Sequence, residues 1–418
     1  ALAAKFGQSE AAVRLPACLF GLLGLAAMVW LGGLLLERPA GGWIAGALLL
    51  VSPFHLHHSQ DARMYSAFIL FSLLAWGCEY AFWNRWERQG GLDRRAVLWL
   101  AAWALATLAN LYTTYFAFFV LGGQGLHILY HFWKHRTEIL RRQLGLGWLL
   151  AALVIILGYL PWLPALLDFL GRSLGEAGGE VLVGWEMLRG VYSTFGPQNA
   201  WGNVLFALLA LVGVARNFRV LRLALFQSVF PLLYLLVLTS SHFFAVRYLA
   251  FLLPVYLLAV AAGVLALARW LRVEATSPRL RKVSYWAVAS LLLVMVSWPA
   301  LARYYRMEKQ NWREAAAYLY SRLGSGDRVI TGRNAVDSCL LHYLAPHPPP
   351  ARIGILTRIR TPEQLLLQLA RPGRIWLVFA WKGEVAPEFL ELADRRFTLV
   401  QSYPALTDWG EIYLYLRE

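Results

Sequence analysis

Between two long apolar runs the chain reads Ser52-Pro53-Phe54-His55-Leu56-His57-His58-Ser59-Gln60-Asp61-Ala62-Arg63-Met64-Tyr65. Imidazoles, a carboxylate, a guanidinium and a phenol in so short a segment offer proton transfer, metal ligation or anion binding. Lipid-facing helices do not tolerate such groups, and a solvated loop does not need them. A second cationic site follows far along the chain, His242-Phe243-Phe244-Ala245-Val246-Arg247-Tyr248. Each site sets an Arg beside a Tyr at the start of an apolar run. Two such Arg at one depth could grip a phosphate through their forked donors. They could also stabilise that phosphate as a leaving group while charge develops on it. The competing reading is that Arg63 and Tyr65 snorkel to the headgroups and the histidines only line the interface.

These sites need a membrane framework. The 418-residue chain is 59% hydrophobic and 15% charged, against roughly 25% charged for soluble domains. Its nineteen Trp and nineteen Tyr suit two interfacial aromatic belts. Cys18, Cys78 and Cys339 form no disulfide or zinc framework. Apolar runs fall at about 16–36, 41–56, 63–84, 96–111, 113–132, 144–167, 200–215, 223–240, 248–268 and 284–302. The expected class is therefore a polytopic α-helical membrane protein of about 10 spans.

Charge orients those spans. One alternate set of loops carries Arg38, then Arg85, Arg88, Arg94 and Arg95, then Lys134, Arg136, Arg141 and Arg142, then Arg216, Arg219 and Arg222, then Arg269 to Lys282. Only Glu37, Glu87, Asp93, Glu138 and Glu274 oppose them. The other set holds few basic residues, Arg63, Arg172, Arg189 and Arg247, against Asp61, Asp168, Glu176, Glu180 and Glu186. The positive-inside rule puts the first set in the cytoplasm. The net charge of +15 then reflects topology, and its spread over separate loops disfavours nucleic acid as a partner. The His-rich segment, the 168–199 loop and everything after residue 303 are expected outside the cytoplasm. The chain starts at Ala1 without Met or a signal-peptide pattern. An even span count returns both ends to one side, so a complete protein is expected to have an upstream helix and outer loop.

The expected domains are 1–303, a membrane domain lacking its N-terminal part, and 304–418, an extracytoplasmic α/β domain. In the latter, Asn311-Trp312-Arg313-Glu314 resembles a capping box, and Thr361-Pro362 opens a further helix. Strands are expected at 328–331, 352–356, 374–381, 397–403 and 411–416, and a helix at 335–344. Alternation of strand and helix implies an α/β layer. Gly324-Ser325-Gly326 follows a helix and precedes a strand, which is a helix end and turn rather than a nucleotide fingerprint.

Asp61 is the candidate carboxylate, to orient Arg63 or assist catalysis. Arg63, Arg247, Tyr65, Tyr248 and His58 are the expected phosphate contacts. Gln60, His242, Tyr112 and Trp162 are candidates for the cavity wall, and the aromatic pair equally suits belt anchors. His55, His57, His58 and Asp61 fit no specific metal template; no metal or other cofactor is expected, with a divalent cation left as an alternative. His127, His131 and His135 recur every fourth residue and suggest a solvated interfacial face.

Several motifs, in order, resemble a known family. They are Gly7-Gln8-Ser9-Glu10, Arg14-Leu15-Pro16, Ser52-Pro53, Ser59 to Tyr65, Gly158-Tyr159-Leu160-Pro161-Trp162, Arg247-Tyr248 with Pro254, Asn311 to Ala316, and Gly326-Asp327-Arg328-Val329. Together they are similar to the polyprenyl-phosphate-sugar-dependent glycosyltransferases of the C-type membrane fold. That group includes protein O-mannosyltransferase-like and aminoarabinose-transferase-like enzymes. The resemblance implies inverting transfer of a sugar from a polyprenyl-phosphate donor to a hydroxyl of a lipid, glycan or protein acceptor. It implies a multi-pass protein of the cytoplasmic (inner) membrane with its site at the outer face. The family's catalytic Asp lies in the first outer loop, which would precede Ala1; without that loop the chain is expected to be inactive. The rival class is a transporter or flippase of a lipid-linked saccharide. Transporters place charge at mid-membrane on broken helices, whereas the ionisable residues here gather at one lip.

Overall fold

A computed structural model describes residues 10–89, 91–135, 141–175, 185–238, 245–270, 296–306, 311–324, 326–331, 334–344, 356–358, 361–380, 387–404 and 411–418. The chain divides into two units, 1–301 and 302–418.

The larger unit is helical. Its helices are α1 (Glu10–Leu36), α2 (Pro39–Leu50), α3 (Pro53–Ser59), α4 (Tyr65–Gln89), α5 (Arg94–Leu111), α6 (Ala117–Lys134), α7 (Arg141–Tyr159), α8 (Leu163–Gly175), α9 (Trp185–Phe195), α10 (Ala200–Arg216), α11 (Phe218–Leu238) and α12 (Leu252–Trp270). Short 3-10 turns occur at Leu160–Trp162 and Val246–Leu249. α4 is the central helix, with Phe68, Trp76 and Phe82 fully buried, and it packs on α1 and α5.

Glu10–Leu36, Tyr65–Gln89, Leu144–Gly171 and Leu252–Trp270 are long and apolar enough to cross a membrane. Two bent pairs raise the number to six if each is one span. The chain is thus a multi-pass membrane protein, with four to six candidate spans among the described residues. Helices α5, α6 and α11 coincide with expected spans but carry polar groups that dilute their apolar character: Arg94 and Arg95; His127, His131 and Lys134; Arg219 and Arg222. Of the tenth expected span, 284–295 lies outside the described residues. The expected 168–199 loop contains the end of α8 and all of α9, which its Gly-rich middle masked in the sequence.

At one end of the bundle the charges pair. Asp93 caps α5 by accepting from the Ala96 N–H at 2.8 Å, and takes the Arg85 Nε–H at 2.9 Å. Arg85, then that cap, holds the Asp93 carboxyl below the usual carboxylate range. Arg219 pairs with Glu37 at 2.7 Å, and Lys134 with Glu87 at 2.9 Å. All these groups belong to loops or helix ends of the basic set.

The smaller unit is an α/β/α layer. It comprises α13 (Trp312–Arg322), β1 (Arg328–Thr331), α14 (Asn334–Leu344), β2 (Leu356–Arg358), α15 (Pro362–Leu369), β3 (Ile375–Ala380), α16 (Pro387–Arg396), β4 (Thr398–Tyr403) and β5 (Ile412–Arg417). The sheet order is β2-β1-β3-β5-β4. β1 runs parallel to β2 and β3; β5 runs antiparallel to β3 and β4. Period-two alternation builds two cores. Trp376, Val378 and Ala380 face α13 and α14, while Ile375, Leu377 and Phe379 face α15 and α16. Helix α16 was not expected from the sequence. The strand expected at 352–356 is seen at 356–358, and 345–355 lies outside the described residues.

Close helix contact in the larger unit rests on glycine. A Cβ added to Gly213 of α10 would strike the Ala259 carbonyl oxygen, and one on Gly263 of α12 would strike the Leu209 carbonyl oxygen. Small residues let membrane helices approach backbone to backbone. Gly213→Ala and Gly263→Ala are each expected to lower stability by about 1–3 kcal/mol, the usual effect of overpacking. The midpoint of unfolding in detergent measures this; unchanged midpoints in both would show that the crossing is looser than described.

Candidate functional site

The His-rich segment is a helix set off from its neighbour. Pro53 cannot donate a backbone hydrogen bond, so it suits the first turn of a new helix. Ser52 caps that helix, accepting from the His55 N–H at 3.4 Å. α3 therefore leaves α2 at a 68° bend. His55, His57 and His58 are all buried. His55 turns away from the others: its Nε2 lies 3.4 Å from the Ser59 hydroxyl, which donates to the His55 carbonyl at 2.7 Å.

A tight turn follows. The Arg63 N–H donates to the Asp61 carbonyl at 2.7 Å, and the Asp61 carboxylate pairs with Arg63 Nε at 3.5 Å. Arg63 remains 42% exposed. Tyr65 then opens α4 and is buried. The 3-10 turn Val246–Leu249 brings Arg247 to it: the guanidinium lies within hydrogen-bonding reach of the Tyr65 hydroxyl. Arg63 and Tyr248 lie close enough to act on the same phenol electrostatically. Arg247 also covers the Tyr248 ring at 5.4 Å, and Tyr248 stacks on Phe116 at 4.4 Å. His58 closes the other side, 4.8 Å from the Tyr65 ring and 4.4 Å from Phe54. Arg247, Tyr248 and His58 thus gather around the Tyr65 phenol, with Arg63 near enough to act on it electrostatically.

Beside this cluster lies a hollow of about 590 Å³. Val13, Pro16 and Phe20 of α1 and Phe71 of α4 give it an apolar wall, and Arg63, Tyr112 and Thr113 add polar groups. Arg247 does not line it. Tyr112 is held by donating to the Gly158 carbonyl at 2.8 Å, and its ring lies 5.6 Å from that of Trp162. Tyr112 therefore lines the hollow while Trp162 supports it from behind. Gln60 ends α3, its N–H bonded to the His57 carbonyl at 3.2 Å. His242 lies outside the described residues, as do Gly7, Gln8 and Ser9.

His57, His58 and Asp61 bring ligand atoms within 4.8 Å of one another and could hold a divalent cation. His55 does not join them, and Asp61 already neutralises Arg63.

The reading of His127, His131 and His135 as a solvated face is overturned. His127 and His131 are buried at 3% exposure each. His127 faces Glu79 of α4, itself 1% exposed, its Nδ1 2.7 Å from the carboxylate, and His131 Nε2 lies 3.2 Å from His127 Nε2. A buried acid attracts a polar partner because water cannot reach it. The missed signal was Glu79 itself, a carboxylate inside an apolar run at the same depth as the histidines.

Comparison with known proteins follows from this geometry. A family model described as dolichyl-phosphate-mannose-protein mannosyltransferase matches residues 3–170. Among curated proteins none matches the sequence. The solved structure of ArnT from Cupriavidus metallidurans bound to undecaprenyl phosphate is similar over 99% of this chain and 85% of its own, at 16% identity and a TM-score of 0.52. The apo form of the same protein gives 16% identity, the same coverage and a TM-score of 0.50. Over residues 3–170 the chain is similar to the dolichyl-phosphate-mannose-protein mannosyltransferases, and over its length it has the fold of ArnT, a C-type glycosyltransferase, which bears out the resemblance carried by its motifs.

Proposed function

We propose that the protein transfers a sugar from a polyprenyl-phosphate donor to an acceptor hydroxyl at the outer face of the membrane. The observation that carries this reading is Arg247 at the Tyr65 hydroxyl, with Arg63 near enough to act on the same phenol and lining an apolar hollow beside it. An anion with a long hydrocarbon tail suits that pairing: the tail takes the apolar wall and the phosphate meets the guanidinium groups. The ArnT structure that shares this fold holds undecaprenyl phosphate. The acceptor oxygen attacks the anomeric carbon, the bond from that carbon to the phosphate oxygen breaks, and the polyprenyl phosphate departs with the negative charge. The two arginines stabilise that developing charge. Asp61 holds Arg63 in place and is not the base. The hydroxyl proton passes to a general base, the part that the family resemblance assigns to a carboxylate. The smaller α/β unit is extracytoplasmic in this reading.

Arg63→Ala and Arg247→Ala are each expected to lower transfer at least 100-fold, the scale of losing a donor to a developing oxyanion, with expression unchanged. Transfer from a polyprenyl-phosphate sugar by the whole protein measures this; activity kept in both variants would overturn the phosphate grip. Tyr65→Phe leaves the ring against His58 but removes the oxygen that Arg247 reaches. It is expected to reduce transfer by less than Arg247→Ala does, through loss of positioning.

Orientation has its own test. In a cysteine-free background, Gln89→Cys at the end of α4 is expected to resist a membrane-impermeant thiol reagent in intact cells. Ser193→Cys in α9 is expected to react. The opposite pattern would invert the assignment of the outer face.

A further inference from the structure

At the basic end of α4 and α6 stands a second, separate polar cluster. Glu87 comes from α4, His131 and His135 from α6. Their ligand atoms all lie within 4.8 Å of one another. Glu87 Oε1 is 3.3 Å from His135 Nε2 and 3.7 Å from His131 Nδ1. Ligands about 2.0–2.2 Å from a tetrahedral zinc ion stand roughly 3.4 Å apart, so two of the three separations already match. Histidines four apart on one helix present both rings on one face, an arrangement that zinc helices use.

The rings are locked. Trp83 stacks on His131 at 4.1 Å and 9°. Trp86 meets His135 edge-on at 4.8 Å. Behind His131 runs a hydrogen-bonded chain. An ionised Glu79 carboxylate accepts the His127 Nδ1–H at 2.7 Å. With neutral imidazoles, His127 Nε2 then accepts the Nε2–H of His131 at 3.2 Å. His131 Nδ1 is left with a lone pair, buried, without a hydrogen bond, and aimed at the Glu87 carboxylate. Two acceptors facing each other call for a cation. Lys134 reaches Glu87 at 2.9 Å but leaves that nitrogen unsatisfied. A carboxylate backing a histidine through its far nitrogen is the support that metal-ligating imidazoles use.

We propose that Glu87, His131 and His135 form a site for a divalent transition-metal ion of the zinc class, with His127 and Glu79 orienting His131. The ion bridges α4 and α6 at the end of the bundle away from Tyr65, and Lys134 competes with it for Glu87. The site is independent of the sugar-transfer reading.

The whole chain, purified in detergent without a histidine tag and stripped with chelator, is titrated with Zn²⁺ against a chromophoric chelator. The expected result is one tight equivalent that raises the unfolding midpoint. Glu87→Gln and His135→Ala, both at more exposed positions, are expected to weaken it at least tenfold, and His127→Ala by about 10–100-fold. Lys134→Gln is expected to tighten it. Absence of stoichiometric Zn²⁺ binding in the unaltered chain overturns the site. So does binding that survives Glu87→Gln and His135→Ala but is lost with His57→Ala, which would move the ion to α3.

Discussion

A charge taken into hydrocarbon without a partner costs several kcal/mol, and this constraint orders the whole helical unit. Several of the cationic and acidic groups that its helices carry meet counterparts. Arg63 meets Asp61, Arg85 meets Asp93, Arg219 meets Glu37 and Lys134 meets Glu87. Most of these pairs lie at helix ends, where water can share the cost. Glu79 is the deep exception, and buried His127 serves as its partner. Arg247 also meets a phenol and an aromatic face.

The break at Ser52-Pro53 converts this constraint into a site. A continuous helix through 39–59 would carry three histidines and then Asp61 straight through the apolar layer. The bend turns α3 aside, buries the imidazoles against protein, and delivers Asp61 and Arg63 to a turn. That turn lies where α4 begins, so Tyr65 becomes the fixed point to which Val246–Leu249 brings its own Arg–Tyr pair. Backbone punctuation, rather than any single catalytic residue, sets the geometry of the cluster.

Much of this was legible in the sequence, for a physical reason. Arg63-Met64-Tyr65 and Arg247-Tyr248 stand at the starts of apolar runs, and membrane insertion brings the starts of like-oriented spans to one level. Depth could therefore be read from hydropathy, and proximity followed. The smaller unit was legible because its strands alternate with period two, as Ile375 to Ala380 do. What escaped was what depends on lateral packing. Hydropathy does not say which face of α6 meets α4, so buried His127 and His131 read as a wet stripe. The polar dilution of α5, α6 and α11 blurs the line between a crossing helix and one sheltered by its neighbours. Helix α9 follows a Gly-rich, acidic stretch, Gly175 to Glu180, whose local signals are those of a loop.

One helix connects the two polar clusters. Tyr65 opens α4, and Glu87 lies near its end. Twenty-two residues at about 1.5 Å each separate them by roughly 33 Å, close to the ~30 Å of a bilayer's hydrocarbon core. The same helix therefore presents its phenol at one boundary and its carboxylate at the other. Between them Phe68, Trp76 and Phe82 are fully enclosed, so the helix cannot slide or turn without displacing large rings from a close-packed interior. A charge arrangement that pins α4 at the basic end consequently fixes the height at which Tyr65 meets Arg247. The rigidity that holds Tyr65 against Arg247 comes from this buried aromatic column rather than from the turn that carries Arg63.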